Sequence, residues 1–368
     1  MNTYKLLTPG PLTTSDSVKE EMLVDHCTWD DEYKSITREI CSELLDIAEV
    51  DSQEYTVVLM QGSGTFGVES VLTSIPKEGE KVFVLSNGAY GERMVEILEH
   101  AKIPYHVYYE EYNHQFEPVT VERIIDEDPA IQYIAMVHNE TTTGMLNDIK
   151  SIGSIANDCN VTFIVDAMSS FGGMKINIEE CHIDFLISSS NKCIQGVPGF
   201  SFIIADKQKL IDSEGNARSL SLDLFDQWKQ MSVDGKWRFT SPTHAVLAFR
   251  KAIEELRKEG GVVQRSNRYQ HNNLLLVKGL NKLGFKSYIE YKDQGPIITT
   301  FYYPEDKQFN FKEMYDYIKE RGYVIYPGKL TDVPTFRVGN IGEIYPEDIE
   351  NICHIFASFM EEKEHVKN

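Results

Sequence analysis

From Tyr55 onward, short runs of β-branched and aromatic residues alternate with stretches of helical spacing. The runs predict strands at Tyr55–Met60, Lys81–Ser86, Tyr105–Tyr109, Tyr133–His138, Thr162–Asp166, Phe185–Ile187 and Phe200–Ala205. Several are apolar at consecutive positions rather than at alternate ones, the mark of strands buried on both faces. Such strands, separated by helices, predict a doubly wound α/β domain with a mostly parallel central sheet.

The flanks read differently. Tyr4–Leu12 is Pro- and Gly-containing and predicts an extended arm, followed by helical spacing from Ser15 and again over Ile36–Val50. Past Ser241-Pro242 a long helix is expected to run to Glu259, where Gly260-Gly261 breaks it, and a second to cover about Val263–Leu283. Strands near Ile297–Tyr302, Tyr323–Tyr326 and Thr335–Val338, with a helix after Phe311, predict a smaller C-terminal α+β domain. In a last helix from Pro346, Ile349, Ile352, Cys353, Phe356, Phe359 and Met360 recur at helical spacing and mark a core face. The expected division is an arm over 1–15, a large domain over 16–255 and a small one over 256–368.

Composition narrows the partners. The 368 residues carry a net charge of −21, a field that repels nucleic acid and anionic membrane, though not a small anion held by a few local cations. The six cysteines lie far apart with no C-x-x-C pair, which suggests neither a zinc knuckle nor a disulfide framework. The first residues contain no apolar run of signal-peptide length, and no stretch approaches the ~18 apolar residues of a membrane span. A cytoplasmic protein is expected.

Three segments carry candidate chemistry. Gln61-Gly-Ser-Gly-Thr-Phe-Gly67 satisfies G-x-G-x-x-G after the first strand. A dinucleotide site would need an acidic residue about 20 positions on, at the end of the next strand, but that strand ends in Ser86-Asn87. The milder readings are a helix N-terminus whose N–H groups, with Ser63 and Thr65, hold a single phosphate, or a structural turn. Asp166 closes the apolar strand Thr162–Val165, and Lys192 follows the strand at Phe185, so both can converge at the carboxyl edge of one sheet. The carboxylate is either a helix cap or a charge partner, and the lysine is either a salt-bridged loop residue or a Schiff-base nucleophile. A lysine paired with a carboxylate that keeps a pyridine nitrogen protonated is what pyridoxal phosphate chemistry requires. Other motifs fail: Ser189-x-x-Lys192 lacks the S-D-N and K-T-G partners, no H-E-x-x-H or Walker A occurs, and His182-x-Asp184 is a weak metal signal. No metal is expected.

Taken in order, Thr8-Pro-Gly-Pro11, Gly62-Ser-Gly-Thr65, Asn87-Gly-Ala-Tyr-Gly91, His138-Asn-Glu-Thr-Thr-Thr-Gly144, Asp166-Ala-Met-Ser-Ser170 and Ser190-Asn-Lys-Cys-Ile-Gln-Gly196 resemble the class V, fold-type I aminotransferases, from Leu6 to about Ile355. The resemblance implies pyridoxal 5'-phosphate as cofactor, Lys192 as its Schiff-base lysine and Asp166 as partner of the ring nitrogen. It further implies Ser63, Gly64 and Thr65 as the phosphate cup, Tyr90 as the stacked aromatic, and Thr141 and Thr143 at the ring hydroxyl. A homodimer is implied, in which Thr240 reaches the phosphate of the neighbouring subunit. Arg337, in Thr335-Phe-Arg-Val-Gly-Asn340, is implied to receive the substrate carboxylate, a task suited to its fork of donors. Arg93 reads as a second cation or, more simply, as part of a solvated helix face. Cys27-Thr-Trp-Asp-Asp31 and Lys236–His244 are closest to the branch of the family that moves the amino group of 2-aminoethylphosphonate to pyruvate. Alanine– or serine–glyoxylate aminotransferases and, in another class, a dinucleotide-binding oxidoreductase are the competing readings. A desulfurase would need a mobile cysteine late in the chain, where only Cys353 lies, on an apolar helix face.

Overall fold

The computed structural model describes residues 4–305, 309–330 and 333–367. Its centre is a seven-stranded sheet whose spatial order is Tyr55–Gln61, Phe200–Asp206, Phe185–Ser189, Thr162–Asp166, Ile131–Val137, Lys81–Ser86, Tyr105–Tyr109. Phe200–Asp206 runs antiparallel to both neighbours, and the other adjacent pairs are parallel. The strand pattern explains the burial: Phe163 and Val165 enter one apolar cluster while Ile164, between them, enters another on the opposite face. Helices cover both faces, which is why these strands lack polar alternation.

A third cluster forms around Leu276, Leu280, Phe285, Phe336, Val338 and the last helix, Pro346–Lys367. Ile349, Ile352, Phe356 and Phe359 are buried in it, as their spacing predicts. A three-stranded antiparallel sheet lies alongside, in the order Ile298–Tyr302, Thr335–Gly339, Tyr326–Pro327. Helix Thr243–Glu259 runs across position 255 without a break and stops at Gly260, whose φ of 106° suits a residue without Cβ.

Two local expectations need correction. Tyr323–Tyr326 is not one strand: Tyr323–Val324 pairs in parallel with Lys5–Leu6 of the arm, and Tyr326–Pro327 joins the small sheet. The run reads as a single strand because its composition is uniform, yet its two halves serve different partners. In addition, Asn139–Glu140 and Met145–Leu146 form a two-stranded hairpin just beyond the strand Ile131–Val137. This hairpin reaches the small sheet and becomes a wall of the site.

No helix among the described residues is long and apolar enough to cross a membrane.

Candidate active site

Three parallel strands, Ile131–Val137, Thr162–Asp166 and Phe185–Ser189, end together at one edge of the sheet, the edge where α/β folds bind ligands. Asp166 is the last residue of the middle strand and lies in register with Val137 and Ile187. The loop after Ser189 is tightly fixed. Ser190 Oγ donates to the carbonyls of Val197 at 2.7 Å and Phe200 at 3.0 Å, while the buried Arg265 holds the carbonyl of Cys193 at 2.8 Å. Gln195, with φ 70°, donates from Nε2 to Tyr269 Oη at 2.7 Å. These bonds leave Lys192 pointing across the edge toward the arm, where Nζ donates to the carbonyl of Pro9 at 2.9 Å. Gly10 makes that approach possible: a Cβ there would stand 2.8 Å from Lys192 Nζ.

The two ionisable groups are displaced in opposite directions by the same cause. Burial pulls the Lys192 ammonium below the usual lysine range, with Tyr90 and Asp166 opposing. Burial pushes the Asp166 carboxyl up to about 6, although the Met168 N–H, donating to Oδ1 at 2.8 Å, and the charge of Lys192 pull it down. Nearby His138 is kept neutral: burial lowers it to about 4, and its Nδ1 meets Ser170 Oγ at 2.9 Å.

Opposite this pair lies the N-terminus of helix Gly64–Ser74. Ser63 occupies the cap position without a side-chain capping bond, and since Phe66 N–H donates to the Ser63 carbonyl at 2.9 Å, it is the N–H groups of Gly64 and Thr65 that the helix start offers to an anion. A Cβ at Gly64 would stand 2.5 Å from the Met168 sulfur, which explains the glycine by close approach. The dinucleotide reading of this turn does not hold. Asn87, where a ribose-binding carboxylate would sit, is spent on an amide pair with Asn147 at 2.7 Å and on the His114 carbonyl at 3.0 Å.

Ser63, Gly64, Thr65, Tyr90, Thr141, Asp166 and Lys192 all line one cavity of about 290 Å³. A larger cleft of about 930 Å³ lies beside the arm but contains none of these groups. Three sequence-predicted residues stand outside the wall. Thr143 is buried with its hydroxyl unpartnered, and Thr240 is on the surface of the chain. Arg337 lies directly behind Thr141: Nη1 donates to the Thr141 carbonyl at 2.9 Å and Nε to the Pro327 carbonyl at 3.1 Å.

The wall also contains Arg93, for which the sequence offers both a second cation and a solvated helix face, and residues that no sequence motif marks. Arg93 lines the cavity, within 3.4 Å of Thr65 Oγ1 and 5.1 Å from the Tyr90 ring centre, so the solvated-face reading is corrected. Its position three residues after Tyr90 puts both on one helix face, a signal the sequence did contain. Asn139 lines the cavity with both amide atoms buried and without a partner. Glu140, fully buried, accepts the N–H groups of Tyr90 at 3.2 Å and Thr142 at 3.0 Å, placing a carboxylate at the start of helix Ala89–Ala101. Burial pushes Tyr90 up, but the charges of Lys192 and Lys329 and a hydrogen bond with Thr141 outweigh it, leaving the phenol below its usual range. Asp184 of the weak metal pattern is used structurally, by Lys209 at 2.7 Å and the Phe163 N–H at 2.7 Å. Burial also pushes the thiols of Cys193 and Cys353 up, to about 12 and about 11, so neither is poised as a nucleophile.

Residues 31–360 match the aminotransferase class V family. A 2-aminoethylphosphonate–pyruvate transaminase of Lysinibacillus sphaericus is 55% identical over 98% of this chain and 98% of its own. One from Salmonella heidelberg is 53% identical over 94% of this chain and 95% of its own. Among solved structures, pyridoxamine–pyruvate aminotransferase from Mesorhizobium loti superposes with a TM-score of 0.89 at 20% identity, over 98% of this chain and 93% of that one.

Proposed function

The chain belongs to the class V aminotransferases, and from that premise we propose that it moves the amino group of 2-aminoethylphosphonate to pyruvate, releasing phosphonoacetaldehyde and L-alanine. The observation that carries the reaction class is the half-buried Lys192 and the buried Asp166 on one cavity that an uncapped helix N-terminus also lines. The substrate pair rests on relatives more than 50% identical along nearly the whole chain. Pyridoxal 5'-phosphate fits what is present: an amine held out of water, a carboxylate set apart from it, and free N–H donors for a phosphate. When bound, it supplies a carbonyl that takes up the amine and a ring that withdraws electrons from the neighbouring carbon.

The residues then divide the work. Lys192 Nζ, its pKa lowered by burial, would take a proton from the amine-bearing carbon of the substrate and deliver it to the carbon of the cofactor that carries the amine. Asp166 would pair with the ring nitrogen as a carboxylate, hold a proton there and so keep the ring electron-poor. Ser63, Gly64 and Thr65 bind the phosphate, with Thr240 from a second copy of the chain, so the active form is a homodimer. Tyr90 packs on the ring. For the ring hydroxyl, Thr141, which lines the cavity, is the better candidate than Thr143, which does not. Arg337 receives the carboxylate of pyruvate. The same reading assigns residues 16–255 to the cofactor and 256–368 to the smaller domain, and puts the protein in the cytoplasm.

The test is Lys192→Ala. Turnover of 2-aminoethylphosphonate with pyruvate should fall on the order of ten-thousand-fold. Borohydride reduction followed by peptide mapping should locate cofactor on Lys192 in the wild type and nowhere in the variant. Full turnover by Lys192→Ala would falsify the assignment. Serine and alanine as donors, with glyoxylate as acceptor, should be poorer substrates than the proposed pair.

A further inference from the structure

The two substrates pose a charge problem that Arg337 alone does not solve. Pyruvate presents one negative charge. The phosphonate, like a phosphate whose second ionisation falls near pH ~6, presents between one and two at neutral pH, spread over three oxygens. Arg337 already gives two of its N–H groups to the carbonyls of Thr141 and Pro327. Those bonds fix the plane of its fork and leave a set of donors that suits a carboxylate.

A second cation reaches the same aromatic residue. Tyr326 is in register with Arg337, and Gly328, whose N–H donates to the Thr335 carbonyl at 2.9 Å, carries the same pairing one residue further, up to Lys329. Lys329 Nζ lies 4.0 Å from the centre of the Tyr90 ring, and Tyr90 lines the cavity. Its charge acts on Tyr90 and on Lys192, and that of Arg337 also couples to Tyr90, so the cations converge on one cavity residue. An ammonium on a flexible stem, resting on an aromatic face, can leave that face for a better-matched anion at modest cost.

We propose that Lys329 is the specificity residue for the phosphonate, taking the charge that Arg337 leaves over, while Arg337 serves both substrates. This inference rests on the reading of the substrates given above. Lys329 thereby distinguishes donor from acceptor within one cavity: the dianion engages both cations, the carboxylate only the guanidinium.

The experiment compares the two amino donors in separate half-reactions of the holoenzyme, 2-aminoethylphosphonate and L-alanine, for the wild type, Lys329→Met and Lys329→Arg. A charge-assisted contact of this kind corresponds to about 10- to 100-fold. Lys329→Met should therefore lose about 30-fold in kcat/KM for 2-aminoethylphosphonate, mostly through KM, and at most about threefold for L-alanine, with Lys329→Arg recovering part of the loss. Calorimetry with unreactive ethylphosphonate and propionate should show the same split in Kd. An equal loss with both donors, or no loss with 2-aminoethylphosphonate, overturns the proposal. A wild type that accepts L-alanine but not 2-aminoethylphosphonate overturns the substrate reading instead, so the two failures are distinguishable.

Discussion

The two sides of the cavity are built by different means. On the sheet side, Asp166 and Lys192 follow adjacent parallel strands, and their positions come from strand register and a loop locked by Ser190 and Arg265. On the far side, Tyr90, Arg93 and Asn139 line the cavity with Arg337 and Lys329 behind them; they come from a helix start, a hairpin, the small sheet and the segment after its edge strand, and they are held by contacts between segments distant in sequence. A step common to every amino transfer needs groups that do not move, and strand ends provide them. Recognition of a particular pair of anions needs cations at adjustable places, and loops and turns provide those.

The sharpest way to break this contrast is Asp166→Asn, which removes the sheet-side charge and changes little else. Activity should fall by a few hundred- to a thousand-fold, the scale of losing one preorganised electrostatic group. Stability should move the other way. The folded value of about 6 lies above the 3.8 of a free aspartate. A carboxyl raised by folding contributes its stability below the unfolded value and withdraws it as pH climbs through the folded one. In the cofactor-free protein the ionised form therefore costs up to ~3 kcal/mol once pH passes about 6. Thermal melts should show Asp166→Asn above the wild type at pH about 8, with the gain shrinking as pH falls toward 4. A variant destabilised at every pH would mean that Asp166 is a structural cap.

The same contrast governs what was legible in the sequence. Thr162–Asp166 is observed at the residues its pattern predicts, because a doubly buried strand has a strong local signature and Asp166 is its first polar break. Lys192 follows from it by topology. The far wall has weaker signatures. Asn139–Glu140 forms a strand too short for periodicity, and Tyr323–Tyr326 divides between two sheets for reasons that only the arm and Arg337 reveal. Arg93 was discounted because exposure cannot be judged for a residue whose neighbour Thr65 is 28 positions away. Lys329 carries no local pattern, since what distinguishes it is the Tyr90 ring beneath it.

Arg337→Ala tests the far side by its sharing. If this guanidinium serves both anions, the variant should lose about 30- to 100-fold in kcat/KM with pyruvate and a similar factor with 2-aminoethylphosphonate. Cofactor retention, followed by absorbance after gel filtration, should change far less. Some loss of thermal stability should accompany it, because the carbonyls of Thr141 and Pro327 lose their donors. Unchanged kinetics with pyruvate would remove Arg337 from the substrate site and leave it as a brace between hairpin and small sheet.

The smallest expected effect concerns how the far wall is anchored. Glu140 holds the start of the Tyr90 helix, and it fits only because position 88 is glycine: a Cβ there would stand 2.7 Å from Glu140 Oε2 and overlap its Cγ and carboxyl carbon. Gly88→Ala should therefore destabilise by about 1–3 kcal/mol, the range for overpacking a filled site, measured as a fall in thermal midpoint. Asp166 ends a separate strand and Lys192 lies in the loop after Phe185–Ser189, so borohydride-dependent labelling of Lys192 should persist while KM for both substrates rises with the displaced Tyr90. The cause can be isolated by pairing. Glu140→Ala alone leaves the N–H groups of Tyr90 and Thr142 without their acceptor, and in its presence Gly88→Ala should cost much less than it does alone, because the overlap is gone. Additive losses would mean that the glycine is required by the backbone and not by the carboxylate, and the far wall would then have the same local origin as the sheet side.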